Sequence, residues 1–338
     1  MSKDKVIIGA GLAGLIAACH FKDAYIQEAG PEVAQHKALL RFRGKAVSEL
    51  TGIPFKEVRV QKGIWTHADK RLHSVCDIRM ANQYSSKVSN GLRGRSIWNL
   101  APVTRYVAPD DFHHQLVERH RSRIMFHTPA HYIPKRPHGN HSTIHINTAP
   151  LHVIAEITGI DLKDKVESQS NRAAIRVDRY KLPEGSNVYQ TIYYPEPNLR
   201  VFRASITGDV MIVESIEEDF HQEFYKEYHL SMLESEFDFV VCESFGINKH
   251  DCAFDETVNQ KYGKIVDMPN DLRRAAIYEL TRDYGVYSLG RFATWRNILL
   301  DDVVEDIHVI DALIKAGEYG ALHYHATGKK MPDFDIPF

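Results

Sequence analysis

The 338-residue sequence predicts an α/β fold in which a parallel nucleotide-type sheet carries an inserted, mixed-sheet α+β lobe. Three observations predict it. A strand, a glycine-rich turn and a helix open the chain in "KVIIGAGLAGLIAACHF". A second strand, turn and helix stand near the other end in "VYSLGRFATWRNILLDDVVEDIHVIDALIKAG". Between them, stretches such as "SNVYQTIYY" and "RVFRASI" alternate apolar and polar residues as half-buried strands do.

Val6, Ile7 and Ile8 form a short apolar run that ends at Gly9-Ala10-Gly11-Leu12-Ala13-Gly14, and an apolar helix follows. The strand before and the helix after lift this G-x-G-x-x-G above chance spacing. In such a turn Gly9 permits the tight bend, Gly11 lets a pyrophosphate approach the backbone, and Gly14 lets helix and strand pack closely. Leu12 and Ala13 begin the helix, whose unpaired N–H groups and dipole favour phosphate. A second short strand, "AYIQEAG", sets Glu28 at its carboxyl end, where a carboxylate accepts both ribose hydroxyls of an adenosine. That acid argues against NADP and leaves NAD and FAD both open.

The bulk numbers exclude several classes. A net charge of −2 gives no global attraction to nucleic acid or membrane. The four cysteines, Cys19, Cys76, Cys242 and Cys252, fit neither a C-x-x-C redox motif nor a zinc knuckle, which predicts a reducing, cytoplasmic setting. "MSKDKVIIGA" leaves no room for a signal peptide, and no apolar run approaches a membrane span.

In the late motif, Val286 to Leu289 read as a strand, Gly290-Arg291 as a tight turn, and Asp301 or Asp302 as the cap of a helix with Val303, Ile307, Ile310 and Ile314 on its apolar face; this second anion-friendly N-terminus makes Gly290, Asp301 and Asp302 cofactor-binding candidates. "STIHINTAPLHVIAEITG" reads as a strand ended by Pro150. "NDLRRAAIYELTRDYG" and "DFHQEFYKEYHLSMLESEF" read as amphipathic helices.

With these motifs the chain resembles the flavoprotein superfamily that contains amine oxidases, protoporphyrinogen oxidase and UDP-galactopyranose mutase. "HKALLRFRGKAVSELTGIPFKEVRVQKGIW" and "VYQTIYYPEPNLRVFRASITGD" look like a set of small FAD-dependent oxidoreductases common in bacteriophage genomes. The resemblance implies FAD as cofactor, because in that superfamily a segment like "LGRFATWRN" reaches the ribityl and phosphate part of the flavin. It also implies a Rossmann-type, glutathione-reductase-like FAD-binding domain made of residues 1–60, 140–165 and 270–325. The substrate domain would then comprise 61–139 and 166–269, followed by a tail at 326–338.

The same resemblance places Thr148 in a turn beside the flavin, Arg41 or Arg43 on the pyrophosphate, and Arg291 on pyrophosphate or a flavin carbonyl. Trp295 is equally suited to covering the isoalloxazine and to filling the core. Tyr189, Tyr193 and Arg203 are pocket candidates, since aromatic residues flank the substrate amine in amine oxidases. No motif fixes the lysine that those enzymes often hold near flavin N5, so no catalytic residue is assigned.

Arg93 and Arg95 beside Trp98 suit stacking on a base and holding a phosphate, against a plain solvated surface. His127, His131, His138, His141 and His145 lie among prolines and Gly139 without the fixed spacing of a metal site, so no metal is expected; Lys135 and Arg136 make the segment mildly basic. The implied activity is oxidation of a C–H next to an amine, with oxygen or another electron acceptor. The phage-type resemblance points to a small amine or an amino-acid-modified thymine base in DNA. A UDP-galactopyranose mutase-like reaction and a non-catalytic flavin-binding protein are the alternatives, and the oligomeric state is left open.

Overall fold

The computed structural model describes residues 4–34, 39–89, 91–92, 96–135, 142–162, 175–216, 235–260 and 268–315. Arg93, Arg95, Arg136, His138, His141 and most of the helix expected over 219–237 lie outside the described residues.

The chain opens with β1 (Asp4–Ile8), α1 (Leu12–His20), β2 (Tyr25–Gln27), β3 (Arg41–Phe42) and α2 (Ala46–Thr51). β4 (Lys56–Thr66), β5 (Arg71–His73), α3 (Ile78–Ser89), β6 (Val103–Val107), α4 (Phe112–His120) and β7 (Ile124–Met125) follow. Next come β8 (Thr143–Asn147), α5 (Leu151–Thr158), β9 (Ile175–Lys181), β10 (Val188–Tyr193), β11 (Val201–Gly208) and β12 (Val210–Ile216). A π-helical stretch, Phe237–Cys242, precedes β13 (Ala253–Gln260), α6 (Asn270–Tyr284), β14 (Val286–Ser288) and α7 (Leu300–Lys315).

Two compact units result, one from Met1–Lys56, Tyr106–Asn171 and Ile265–Phe338, the other from Glu57–Arg105 and Arg172–Lys264. Residues 106–135, grouped with the insertion by the sequence reading, thus pack in the first unit. The reason is apolar: Phe112, Leu116 and Ile124 join the core built by α1 and β1.

The first unit holds a five-stranded sheet in the order β14-β8-β1-β2-β7, and every pairing in it is parallel. Strands buried on both faces need apolar cover on both. On one face Ile7, Ile26, Ile144, Ile146 and Tyr287 pack against Leu15 and Ile16 of α1 and Val303 and Ile307 of α7. On the other, Ile8 and Val286 pack against Leu151 and Ile154 of α5 and Ile277 and Leu280 of α6. Arg123 closes the carboxyl end of α1, donating to the carbonyls of Ala18, Phe21, Lys22 and Ala24 at 2.9–3.2 Å.

The second unit is a sheet in the order β13-β9-β12-β11-β10-β4, antiparallel except where β10 runs parallel to β4. Ile192, Ala204 and Met211 face the core under the π-helical stretch, while Ile64, Tyr193 and Phe202 face α3. Among the described residues no helix is long and apolar enough to cross a membrane.

Candidate functional site: a dinucleotide cradle

The glycine turn between β1 and α1 is built by exclusion. Gly9 adopts φ +96°, a left-handed conformation that glycine tolerates without steric cost. A Cβ on Gly14 would stand 2.0 Å from the Gly9 carbonyl oxygen, so helix and turn touch backbone to backbone. A Cβ on Gly11 would meet nothing within 4 Å. Space therefore opens at the one glycine where a pyrophosphate would approach, next to the unpaired N–H groups at the start of α1. Leu12 buries its side chain in the core, and Ala13 is half-buried with its Cβ toward Gly290.

Glu28 follows β2 and folds back on this turn. Its Oε2 accepts the Ala10 N–H at 2.9 Å and its Oε1 the Gly30 N–H at 3.0 Å. A carboxylate has about four acceptor positions, so two remain for a pair of hydroxyls.

Two later segments close on the same turn. The Thr148 hydroxyl donates to the Ile8 carbonyl at 2.8 Å, and its oxygen lies 2.8 Å from where a Gly9 Cβ would be. Gly290, at φ +89°, comes so near α1 that its Cβ would be 3.0 Å from that of Ala13. Leu289 N–H donates to the Asn147 carbonyl and Leu151 N–H to the Phe292 carbonyl, binding the two later turns to each other. The glycine turn, the Thr148 turn and the Gly290 turn thus meet at the carboxyl ends of β1, β8 and β14, where open parallel sheets bind ligands.

The charged candidates divide. Arg43 does not present its guanidinium to this turn: it pairs with Asp302, while its N–H and that of Gly44 donate to Asp301 Oδ1 at 2.9 and 3.0 Å. Asp302 Oδ2 also accepts the Leu299 N–H at 2.7 Å. Carboxylates are favoured at a helix N-terminus, and having gathered there they draw in Arg43 rather than a second anion. Arg41 sits half-buried on β3, whose partner is β6. Arg291 is also half-buried, with burial lowering its pKa and its guanidinium 5.7 Å from the Phe292 ring. Trp295 is buried in the α5–α6 core, edge-on to His152 at 6.2 Å, with a strained φ of +49°.

In the second unit Arg203 is bound by Glu214, with Nη2 2.6 Å from Oε1. The sequence reading missed this acid, although the two-residue turn Gly208-Asp209 fixes a register in which Arg203 faces Glu214. Tyr193 stands directly across from Arg203 and meets Tyr84 edge-on at 5.4 Å. Tyr189 is half-buried farther along β10, opposite Thr207, and Trp98 is 47% exposed on a short helical turn. His127 and His131 lie in loop and His145 on β8. Lys87, also missed, donates to the carbonyls of Tyr194, Glu196 and Val201 at 2.8–2.9 Å, and burial pushes its pKa down to about 7.

Solved structures share this architecture. UDP-galactopyranose mutase in its reduced form superposes with a TM-score of 0.63 at 12% identity, covering 96% of this chain and 98% of that one. The fold is that of the Rossmann-type flavoenzymes. An oxidoreductase from Methanosarcina mazei gives 0.58 at 9% identity over 91% and 100% of the two chains. A protein described as an FAD-containing monooxygenase from Photorhabdus luminescens gives 0.53 at 11% identity over 94% and 90%. No family model matches the sequence, and no curated protein matches it.

Proposed function

We propose that the chain is an FAD-dependent oxidoreductase whose cofactor lies in the cradle of the first unit. The observation that carries this is the meeting of three distant turns at Gly9–Gly14, where Gly9 and Gly14 are tightly packed and Gly11 has open space beside it. In this reading the start of α1 holds the diphosphate, Glu28 takes the adenosine ribose, and the Thr148 and Gly290 turns frame the path toward the flavin. Phosphate contact is assigned to Arg41 rather than Arg43, because Asp302 engages the latter. Bound flavin supplies hydride acceptance.

The specific reaction we propose is oxidation of a C–H next to an amine, with oxygen or another acceptor taking the electrons onward. Tyr189, Tyr193 and Arg203, the last held by Glu214, are the substrate-pocket candidates of the second unit. The sequence resemblance extends the substrate to an amino-acid-modified thymine base in DNA. The visible spectrum of the purified protein tests the cofactor, and anaerobic bleaching by a panel of amines tests the reaction. A colourless protein that FAD does not reconstitute overturns the first. A flavin that no amine bleaches, and amine-bearing DNA whose nucleosides stay unchanged, overturn the second.

The similarity to UDP-galactopyranose mutase favours one rival, a non-redox rearrangement of a nucleotide sugar. It separates cleanly, because such turnover requires prior reduction and consumes no acceptor.

A further inference from the structure

The first turn of α6 ends at Arg273, the exposed Arg274 opens the next, and the segment after β14 carries Arg296. Two of these guanidiniums converge on Thr294: Arg273 Nη1 reaches its carbonyl oxygen at 3.4 Å, and Arg296 Nε reaches its hydroxyl at 3.1 Å. Arg273 Nη2 also donates to Asn270 Oδ1 at 3.3 Å. Arg296 has a carboxylate partner in Asp306. Arg273 is half-buried, and the positive charges of Arg296 and Arg274 bear on it. Asp271 shares the turn but is exposed.

Three effects on Arg273 have the same sign. Burial disfavours its charge, the neighbouring guanidiniums repel it, and the first turn of a helix is the wrong end of the dipole for a cation. Burial and the two arginines lower its pKa accordingly. Each effect is relieved by one event, the arrival of an anion between the guanidiniums. The Thr294 contact also places this cluster just past the carboxyl end of β14, on the ligand-binding edge of the parallel sheet.

We propose that Arg273, Arg274 and Arg296 form an oxyanion site that takes a phosphate group. The planar fork of a guanidinium matches two phosphate oxygens, and Arg273 donates to the neutral Thr294 carbonyl and Asn270 amide, whereas Arg296 is paired with Asp306. The phosphate has two chemical sources, the diphosphate of the proposed cofactor or a phosphate on the substrate.

Inorganic phosphate added to the full-length protein, against chloride at matched ionic strength, tests the site. Phosphate should raise Tm of the wild type and leave Arg273→Gln unmoved, with Arg273→Lys keeping part of the shift. Titration calorimetry should show phosphate binding weakened at least about tenfold by Arg273→Gln. Should circular dichroism show Arg273→Gln to be unfolded, the exposed Arg274→Gln must reduce the phosphate response. An unshifted wild type, or an equal shift in the folded variants, overturns the proposal. Repeating the measurement on FAD-saturated protein separates the sources. A phosphate shift that persists assigns the site to a substrate, whereas a lost shift together with weaker FAD binding by Arg273→Gln assigns it to the cofactor. Because the phosphate arm uses no flavin, failure of the site and failure of the FAD reading are distinguishable.

Discussion

A methyl group on Gly14 would stand 2.0 Å from the carbonyl oxygen of Gly9. The obstacle is backbone, which cannot rotate aside like a side chain. Gly14→Ala should therefore force α1 away from β1 and cost at least about 3 kcal/mol, the upper range for overpacking. Urea denaturation checks it; an unchanged midpoint would contradict the packing described above.

Gly11→Ala should behave in the opposite way. Its Cβ meets nothing and its φ of −67° suits alanine, so stability should hold within about 0.5 kcal/mol. The methyl would occupy the space assigned to the diphosphate, so FAD affinity should fall roughly tenfold or more. Flavin fluorescence titration beside a melting curve separates the two effects.

Glu28 links the glycine turn to the bend after β2 through two N–H groups. Glu28→Gln removes the charge that strengthens both bonds, and bonds to charged groups contribute about 1.5–3 kcal/mol each at most. We expect a smaller loss, about 1–2 kcal/mol, because the amide oxygen retains one acceptor. Binding of FAD should weaken further than stability does. Comparing melting temperatures with and without FAD reads the difference.

Buried His120 sets a pH dependence. Arg123 Nη2 donates to its Nδ1 at 2.6 Å, so the neutral ring carries its proton on Nε2, 3.3 Å from Cys19 Sγ. Burial, then Arg123 and Arg119, push its pKa down to about 4. The unfolded chain, with an ordinary histidine near 6.5, holds the proton in the window between these values, so stability falls as pH drops through it. The full loss is on the order of 3 kcal/mol, complete only below pH 4. Urea midpoints at pH 7 and 4.5 should show it, and His120→Gln should flatten the slope.

Lys87 gathers three carbonyls from the segment 194–201. Lys87→Met leaves them without their donor and should cost about 2–4 kcal/mol. Protease cleavage within 194–201 should accelerate in the variant; unaltered cleavage and stability would refute the clamp.

Local pattern made much of the first unit legible. The strand, glycine turn and helix at 5–20 and the strand and helix at 286–315 follow from residues adjacent in sequence, where periodicity and turn chemistry act. What stayed hidden depends on which distant charges meet. Arg43 and Asp301 are 258 residues apart, and no periodicity of either segment announces that they neutralise each other. The apolar residues of 106–135 were equally able to serve either unit, and only packing decides. Arg203 with Glu214 lies between these cases, since the turn at Gly208-Asp209 encodes the pairing for a reader who counts outward from it.

The stitching of the Gly290 turn onto the glycine turn also sets a timetable. During synthesis β1 and α1 emerge well before the surfaces that complete their sheet and their turn, which arrive with β8, β14 and α7. The early segment must keep its apolar faces soluble, or shielded by other cellular components, until β14 and α7 have left the ribosome. A cradle assembled from such distant segments is therefore also a check on synthesis: a chain halted before β14 lacks one wall of it.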